Sequence, residues 1–102
     1  MKKAAPHFCA RVRERLEPIF GPICPHKLAA TISSEIKSGT SPHIQYQFRV
    51  SRNGRRVWRC DVMEGQHFYA MVDHREDDIV PITVFTPGMR LTRQGKHSVL
   101  LK

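Results

Sequence analysis

Apolar and polar residues alternate on both sides of the Asn53-Gly54 dipeptide, and this pattern constrains the fold more than any other part of the chain. The apolar members are Tyr46, Phe48 and Val50 before the dipeptide and Trp58, Cys60 and Val62 after it. A period of two is typical of half-buried β-strands, and Asn-Gly between two such strands is a hairpin signal. The sequence therefore predicts a β-hairpin with one apolar face.

The length of the turn determines which residues of this hairpin are paired. A two-residue loop would pair Phe48 with Arg59 and mix apolar with charged side chains on each face. A three-residue loop, Arg52-Asn53-Gly54, with Gly54 in a left-handed conformation, instead pairs Phe48 with Trp58. In this register the residues that share the polar face are Gln47, Arg49, Arg59 and Asp61.

Two further strands are predicted after the hairpin. Met63-Glu64-Gly65 has the composition of a second turn, and the strand from His67 to Asp73 has Phe68, Ala70 and Val72 at alternate positions. The same turn logic places His67 beside Asp61 and Tyr69 beside Arg59 on the polar face. Residues 79–87 are rich in β-branched side chains and predict the fourth strand, with Thr83 on the same face.

Apolar residues spaced by four predict two helices before the strands. Phe8, Val12 and Leu16 indicate a helix over residues 6–17, which Pro18 and the following glycine and prolines end. Leu28, Ile32 and Ile36 indicate a second helix over residues 27–38, with Gly39 as its C-terminal cap.

Together these elements predict an α+β fold, in which two N-terminal helices pack on one face of a four-stranded antiparallel meander sheet. Residues 1–87 form a single domain in this interpretation, and residues 88–102 form either a basic C-terminal tail or a fifth strand. The second face of the sheet is expected to be exposed.

The charge of the chain bears on its partners. The 102 residues carry a net charge of +8, which favours a polyanionic partner, either nucleic acid or an anionic membrane surface. Neither predicted helix has the aromatic apolar face flanked by lysines that interfacial helices use, and no apolar run is long enough to span a bilayer. Nucleic acid is therefore the expected partner, and no membrane association is expected.

Cysteines and acidic residues indicate neither a disulfide framework nor a metal site. Cys9, Cys24 and Cys60 are odd in number and lack paired spacing, which favours a reducing, cytoplasmic location. Residues 73–78 contain four carboxylates and His74, which together could ligate a metal, but so compact a run between strands is more typical of a solvated loop. We expect no cofactor.

The polar face holds residues suited to RNA phosphate chemistry. Arginines offer forked donors to phosphate oxygens, and a histidine oriented by an aspartate serves as acid or base near neutral pH. The predicted catalytic residues are His67, Asp61 and Tyr69. The predicted nucleic-acid-binding residues are Arg49, Arg59, Gln47 and Thr83 on the sheet and Arg52, Arg55 and Arg56 near the hairpin tip. The alternative is an ordinary solvated surface with ion pairs.

Two helices followed by a four-stranded antiparallel sheet with a basic polar face resemble the ribonuclease superfamily that includes barnase, EndoU-type nucleases and RelE-type toxins. Residues 54–59, 67–73 and 82–87 are also similar to the late strands of small phage and mobile-element proteins associated with that fold. The resemblance implies a toxin-like endoribonuclease that needs no metal, and a cognate inhibitor as a partner.

Two functions are therefore expected from the sequence. The first is RNA binding on the polar sheet face, with metal-independent endoribonuclease activity. The alternative is a non-catalytic phage or mobile-element module that binds nucleic acid or a host protein through the same basic surface.

Overall fold

A computed structural model describes residues 4–51, 54–63, 65–93 and 97–102, and it has the predicted α+β architecture. A four-stranded antiparallel sheet has the order β1-β2-β3-β4, and helices from the N-terminal part of the chain pack against it. The elements are α1 (Pro6–Arg11), a π-helical turn (Val12–Leu16), α2 (Glu17–Phe20), α3 (Pro25–Ser38), β1 (Ile44–Arg49), β2 (Arg55–Met63), β3 (Gln66–His74), β4 (Ile79–Phe85), β5 (Arg90–Thr92) and β6 (Ser98–Leu100).

The first helical segment continues beyond its predicted end because a π-helical turn accommodates Pro18. Proline lacks an N–H group, and inside a regular α-helix its ring clashes with the carbonyl four residues earlier. Here the chain winds more widely over Val12–Leu16, and the N–H of Glu17 donates to the carbonyl of Val12, five residues earlier. Pro18 then lies in the first turn of α2, where prolines are tolerated, and the segment ends at Gly21.

The predicted cap of α3 is confirmed. Gly39 follows Ser38 in a left-handed conformation, with φ of +69°, and its N–H donates to the carbonyl of Glu35. Pro25 occupies the first helical position, so α3 begins two residues earlier than the predicted residue 27.

The main core lies between the helices and one face of the sheet. Phe8, Val12 and Leu16 are fully buried, as their spacing of four predicted. Across the interface the sheet presents alternate residues of β3, and the predicted core positions Phe68, Ala70 and Val72 are confirmed. The other buried members of this cluster are Ala29, Ile32, Ile36, Ile44, Cys60 and Val84.

The second face of the sheet is covered, so the prediction that it is exposed is wrong. Residues 88–102, for which the sequence allowed a tail or a fifth strand, contain β5 and β6, which pair with each other as a separate two-stranded sheet. Leu101 is only 2% exposed and packs in a second apolar cluster. The sheet residues of that cluster, Val57, Tyr69, Met71 and Phe85, are too apolar to remain in water without cover.

The register of β1 against β2 is not the predicted one, since neither Phe48 with Trp58 nor Tyr46 with Cys60 is paired, and a β-bulge interrupts the ladder. Tyr46 pairs with Trp58, whereas Phe48 pairs with Val57, and the register shifts between Tyr46 and Phe48. The bulge turns Phe48 to the second face, where it packs in the cluster that contains Val57. Gly54 has a φ of +94°, as the turn required, while Arg52 and Asn53 lie outside the described residues.

The register of β2 against β3 is the predicted one. Arg59 lies opposite Tyr69 and Asp61 opposite His67. These four residues therefore come together by strand pairing alone. In the described part of the chain, no helix is long and apolar enough to cross a membrane.

Candidate functional site

The predicted catalytic residues lie together at the end of the sheet where β2 turns into β3. We call Arg59, Asp61, His67 and Tyr69 the His67 cluster. The rings of His67 and Tyr69 meet edge to face, with centroids 5.3 Å apart and an interplanar angle of 88°. Their neighbours on β2, Asp61 and Arg59, are joined by an ion pair of 3.0 Å between Arg59 Nε and Asp61 Oδ1. The cluster thus combines a partly exposed imidazole, a phenol, a guanidinium and a carboxylate.

Both rings of the His67 cluster hydrogen-bond to one oxygen atom. His67 Nε2 and Tyr69 Oη each lie 2.7 Å from the main-chain carbonyl oxygen of Lys102. A carbonyl oxygen can only accept, so Nε2 carries a proton and both groups donate. Tyr69 is only 5% exposed, and the C-terminal segment occupies the oxygen-binding position between the two rings.

Asp61 does not orient His67 through a hydrogen bond within the described residues. Its Oδ1 accepts from Arg59 Nε, and the side chains of this ion pair are 33% and 40% exposed respectively. An ion pair this exposed is worth about 1 kcal/mol or less. Asp61 therefore neutralises Arg59 in this arrangement, and it lies opposite His67 through strand pairing only.

Other predicted residues lie away from the His67 cluster. Arg49 pairs with Arg56 and lies away from Arg59. The bulge after Tyr46 changes the face of the sheet on which the later side chains of β1 lie, and Arg49 is one of them. Gln47 is exposed on β1, and its Nε2 lies within hydrogen-bond distance of the Gln45 carbonyl. Thr83 was predicted on an exposed face, but it is only 5% exposed and lies opposite Met71 on the sheet face covered by the C-terminal residues, so little of its surface is open to a partner.

Arginines are concentrated around the free edge of β1. Arg49, Arg55 and Arg56 lie near the end of the β1–β2 hairpin, and Arg52, which was predicted beside them, is outside the described residues. Arg93 joins them from the C-terminal part of the chain, since its Nε donates to the carbonyl of Arg49 and its guanidinium lies 5.2 Å from the centre of the Phe48 ring. We call Arg49, Arg55, Arg56 and Arg93 the arginine edge.

A second group of side chains, the His74 cluster, adjoins the arginine edge and was missed by sequence reasoning. It consists of Tyr46, Arg56, Trp58 and His74. The rings of Tyr46 and Trp58 meet at 5.5 Å and 64°, and those of Trp58 and His74 lie 5.7 Å apart in nearly parallel planes. One signal was present in the sequence, because His74 continues the alternation of Phe68, Ala70 and Val72 toward the same face.

Two polar contacts of the imidazole ring place His74 in this cluster. Trp58 Nε1 donates to His74 Nε2 at 3.1 Å, and an Arg56 guanidinium nitrogen lies 3.3 Å from His74 Nδ1. Burial, and then the positive charge of Arg56, lower the pKa of His74, which the carboxylate of Asp73 opposes. The histidine is therefore less readily protonated than an exposed one.

Two of the four nearby acids, Asp73 and Asp78, form ion pairs within the described residues. Arg75 Nε lies 3.1 Å from Asp73 Oδ2, and Lys37 Nζ lies 3.3 Å from Asp78 Oδ1. Among residues 4–51, 54–63, 65–93 and 97–102, no three His, Cys, Asp or Glu side chains are grouped so that they could hold a metal ion. The arginine edge thus keeps its positive charge beside a loop whose acids are in part neutralised.

Comparisons of the chain with protein-family models, with curated proteins and with solved structures find no match.

Proposed function

We propose that this protein binds single-stranded RNA along the edge of β1, where the arginine edge adjoins the ring of Tyr46. One observation carries the proposal: the bulged register places Arg49 opposite Arg56 and Tyr46 opposite Trp58. Two guanidinium groups and an exposed aromatic ring are thereby presented by the same pair of strands. Cations that follow a backbone, together with rings on which bases stack, are the two components of single-strand recognition.

The guanidinium groups supply the electrostatic part of the binding. The chain carries a net charge of +8, and four described arginines lie around one sheet edge. Arginine donates to phosphate oxygens through a planar fork, and each phosphate that is neutralised releases condensed counterions. Binding should therefore weaken steeply as the salt concentration rises.

Tyr46 supplies the stacking part. Its side chain is 50% exposed although it is a large aromatic residue, and Trp58 supports one side of it edge to face. An unpaired base can lie on the ring, and such stacking contributes about 1–3 kcal/mol per base. Bases in a duplex are already stacked on each other, so the arrangement favours a single strand.

The proposal is tested by fluorescence anisotropy with a labelled single-stranded RNA over a series of salt concentrations. For a single strand, each phosphate contact adds about 0.7 to the slope of log K against log salt, so Arg49→Gln should reduce that slope by about 0.7. Tyr46→Ala should weaken binding about tenfold and leave the slope unchanged, because it removes stacking and no charge.

The matched control is Arg13→Gln, which removes the same charge from an exposed residue of the π-helical turn. That turn packs against β4, at the edge of the sheet opposite to β1. Equal losses for Arg13→Gln and Arg49→Gln would mean that only net charge matters and would contradict the proposed surface. Salt-insensitive capture of a host protein, without RNA binding, would favour the interaction module instead.

Cleavage of RNA is a second candidate, favoured by the convergence of His67 and Tyr69 on one oxygen atom at 2.7 Å each. In this candidate, the proton of neutral His67 moves to Nδ1 once Lys102 has left, Nε2 accepts the proton of a 2′-hydroxyl, and the 2′ oxygen forms a bond to phosphorus. The bond from phosphorus to the 5′ oxygen breaks, and Tyr69 donates its proton to that oxygen. Lys102 must first leave the two rings.

The cleavage candidate is tested by incubating the protein with a mixed RNA pool in EDTA and separating the products on a gel. Cyclic phosphate ends are expected from the wild type and not from His67→Ala. Intact RNA at high protein concentration would refute cleavage and leave the binding proposal standing.

A further inference from the structure

His74 is surrounded by more hydrogen-bond donors than it can accept from. Trp58 Nε1 is a donor only, and it lies 3.1 Å from Nε2. The Arg56 guanidinium is also a donor only, and it lies 3.3 Å from Nδ1. A neutral imidazole has one unprotonated nitrogen, so it can accept from one of these two groups and not from both.

The excess of donors does not depend on the tautomer. If Nε2 accepts from Trp58, then Nδ1 carries a proton that faces Arg56, and two donors meet. If Nδ1 accepts from Arg56, the protonated Nε2 faces Trp58 at the shorter distance. The first arrangement is better, because the shorter contact becomes the hydrogen bond. It leaves an N–H of His74 and an N–H of Arg56 side by side, 3.3 Å apart at their nitrogens.

Within the described residues, no side-chain acceptor satisfies this pair of donors. The nearest carboxylate in sequence is that of Asp73, which accepts from Arg75 Nε at 3.1 Å. Asp73 also lies on the opposite face of β3, because successive side chains of a strand alternate. An acceptor from outside the chain would satisfy both donors.

A second feature of the site indicates that the acceptor is negatively charged. Arg49 lies directly opposite Arg56 in the β1–β2 ladder, so two guanidinium groups of like charge are neighbours on one face of the sheet. Arg49 Nε also donates to the carbonyl of Ser51 at 3.1 Å. The position beside His74 Nδ1 thus lies in the field of two arginines.

We propose that His74 Nδ1 and the Arg56 guanidinium together bind one phosphate group of the RNA backbone. The inference rests on the proposed function, because it assigns one phosphate of the bound strand to a specific pair of donors. A phosphate offers several acceptor oxygens, so one can accept from His74 while another accepts from Arg56. Tyr46, which contacts Trp58 in the same cluster, then holds the adjoining base.

His74 serves this role as a neutral imidazole. Trp58 holds Nε2 unprotonated, which places the proton on Nδ1, where the phosphate lies. Full protonation of the ring would set Nε2–H against Trp58 Nε1–H and break their hydrogen bond. Arg56 and burial disfavour the protonated ring, and Asp73 favours it. A bound phosphate adds negative charge, so it should raise the pKa of His74 from its lowered value.

The test is a titration of the isotope-labelled protein with inorganic phosphate, followed by NMR of the histidine rings and the Trp58 indole N–H. Potassium chloride at equal ionic strength is the control for screening. Saturable shifts at His74 and Trp58 are expected with phosphate only, together with a higher pKa of His74. Arg56→Gln should weaken phosphate binding about tenfold, since it removes a charge-assisted hydrogen bond, whereas Arg13→Gln should leave it unchanged.

The possible failures are distinguishable. Shifts that are equal in phosphate and chloride, or shifts at His67 and not at His74, would overturn the phosphate site even if RNA still binds. Saturable phosphate binding at His74 without any binding of RNA would leave the phosphate site standing and overturn the proposed function. His74→Gln provides a second variant, and it should lose phosphate binding to the same extent as Arg56→Gln.

Discussion

Leu101→Ala should destabilise the protein strongly, because this side chain closes the second apolar cluster over the sheet. Leu101 is 2% exposed and packs with Val57, Tyr69, Met71 and Phe85. The substitution removes three carbon atoms, which at about 0.8 kcal/mol each corresponds to about 2.4 kcal/mol of lost transfer free energy. A small residual cavity brings the expected loss to about 3 kcal/mol, within the range of buried leucines.

The assay is urea unfolding followed by circular dichroism. With a slope of about 2 kcal/mol per molar urea, a loss of about 3 kcal/mol lowers the midpoint by about 1.5 M. Leu100→Ala is the matched control, because it makes the same chemical change at the preceding residue, which is 43% exposed. That variant should lose less than about 1 kcal/mol, since little of its side chain is removed from water on folding.

Equal losses for the two variants would refute the conclusion that the C-terminal segment covers the sheet. A loss below about 1 kcal/mol for Leu101→Ala would do the same, because no buried leucine of this kind costs so little. In either case the second face would be open and the His67 cluster accessible.

Three further predictions concern the turn, the covered phenol and the buried thiol. Gly54→Ala should lower the free energy of unfolding by about 2 kcal/mol or more, as measured by urea unfolding. Gly54 has a φ of +94°, and a Cβ atom there would lie 2.7 Å from the carbonyl oxygen of His74. An unchanged free energy of unfolding would contradict this close approach of the turn to β3. Tyr69→Phe should cost about 1 kcal/mol, as it removes the hydrogen bond to Lys102, and a stabilised variant would contradict that bond. Burial raises the pKa of Cys60 from 9.0 to about 12, and the negative charges of Glu35 and Asp61 contribute less to this rise. An alkylating reagent at about pH 8 should therefore modify exposed Cys24 in the folded protein, whereas Cys60 should react only after urea is added. Because the folded-state pKa of Cys60 lies above the unfolded value, the contribution of Cys60 to stability is complete below about pH 9 and is lost as the pH rises toward 12. The unfolding midpoint of the wild type should therefore fall relative to that of Cys60→Ala over that window, and parallel midpoints would contradict the shift.

Local patterns predicted much of the architecture. Residues spaced by four identified the buried faces of the helices, and Gly39 identified the end of α3. The turn at Gly65 was sufficient to place Arg59 beside Tyr69 and Asp61 beside His67. In each case the information lies within a few consecutive residues, because the period of a helix or strand and the φ of a glycine are local properties.

The pairing of β1 could not be predicted in the same way. A bulge between Tyr46 and Phe48 moves Arg49 from the neighbourhood of Arg59 to that of Arg56. Whether a strand takes up one extra residue depends on which side chains gain burial on each face. Phe48 gains a place near Val57 in the second cluster, and that cluster exists only after the C-terminal residues have packed.

Sequence alone determined the α+β class, the basic character of the chain and the residues of the His67 cluster. Tertiary structure decided that Lys102 occupies this cluster, and that Arg56, Trp58 and His74 meet beside the arginine edge. The physical reason is the range of the interactions. Periodicity and turn chemistry act between near neighbours, whereas the cover of a sheet face and the meeting of donors from two strands depend on contacts between residues farther apart in the chain.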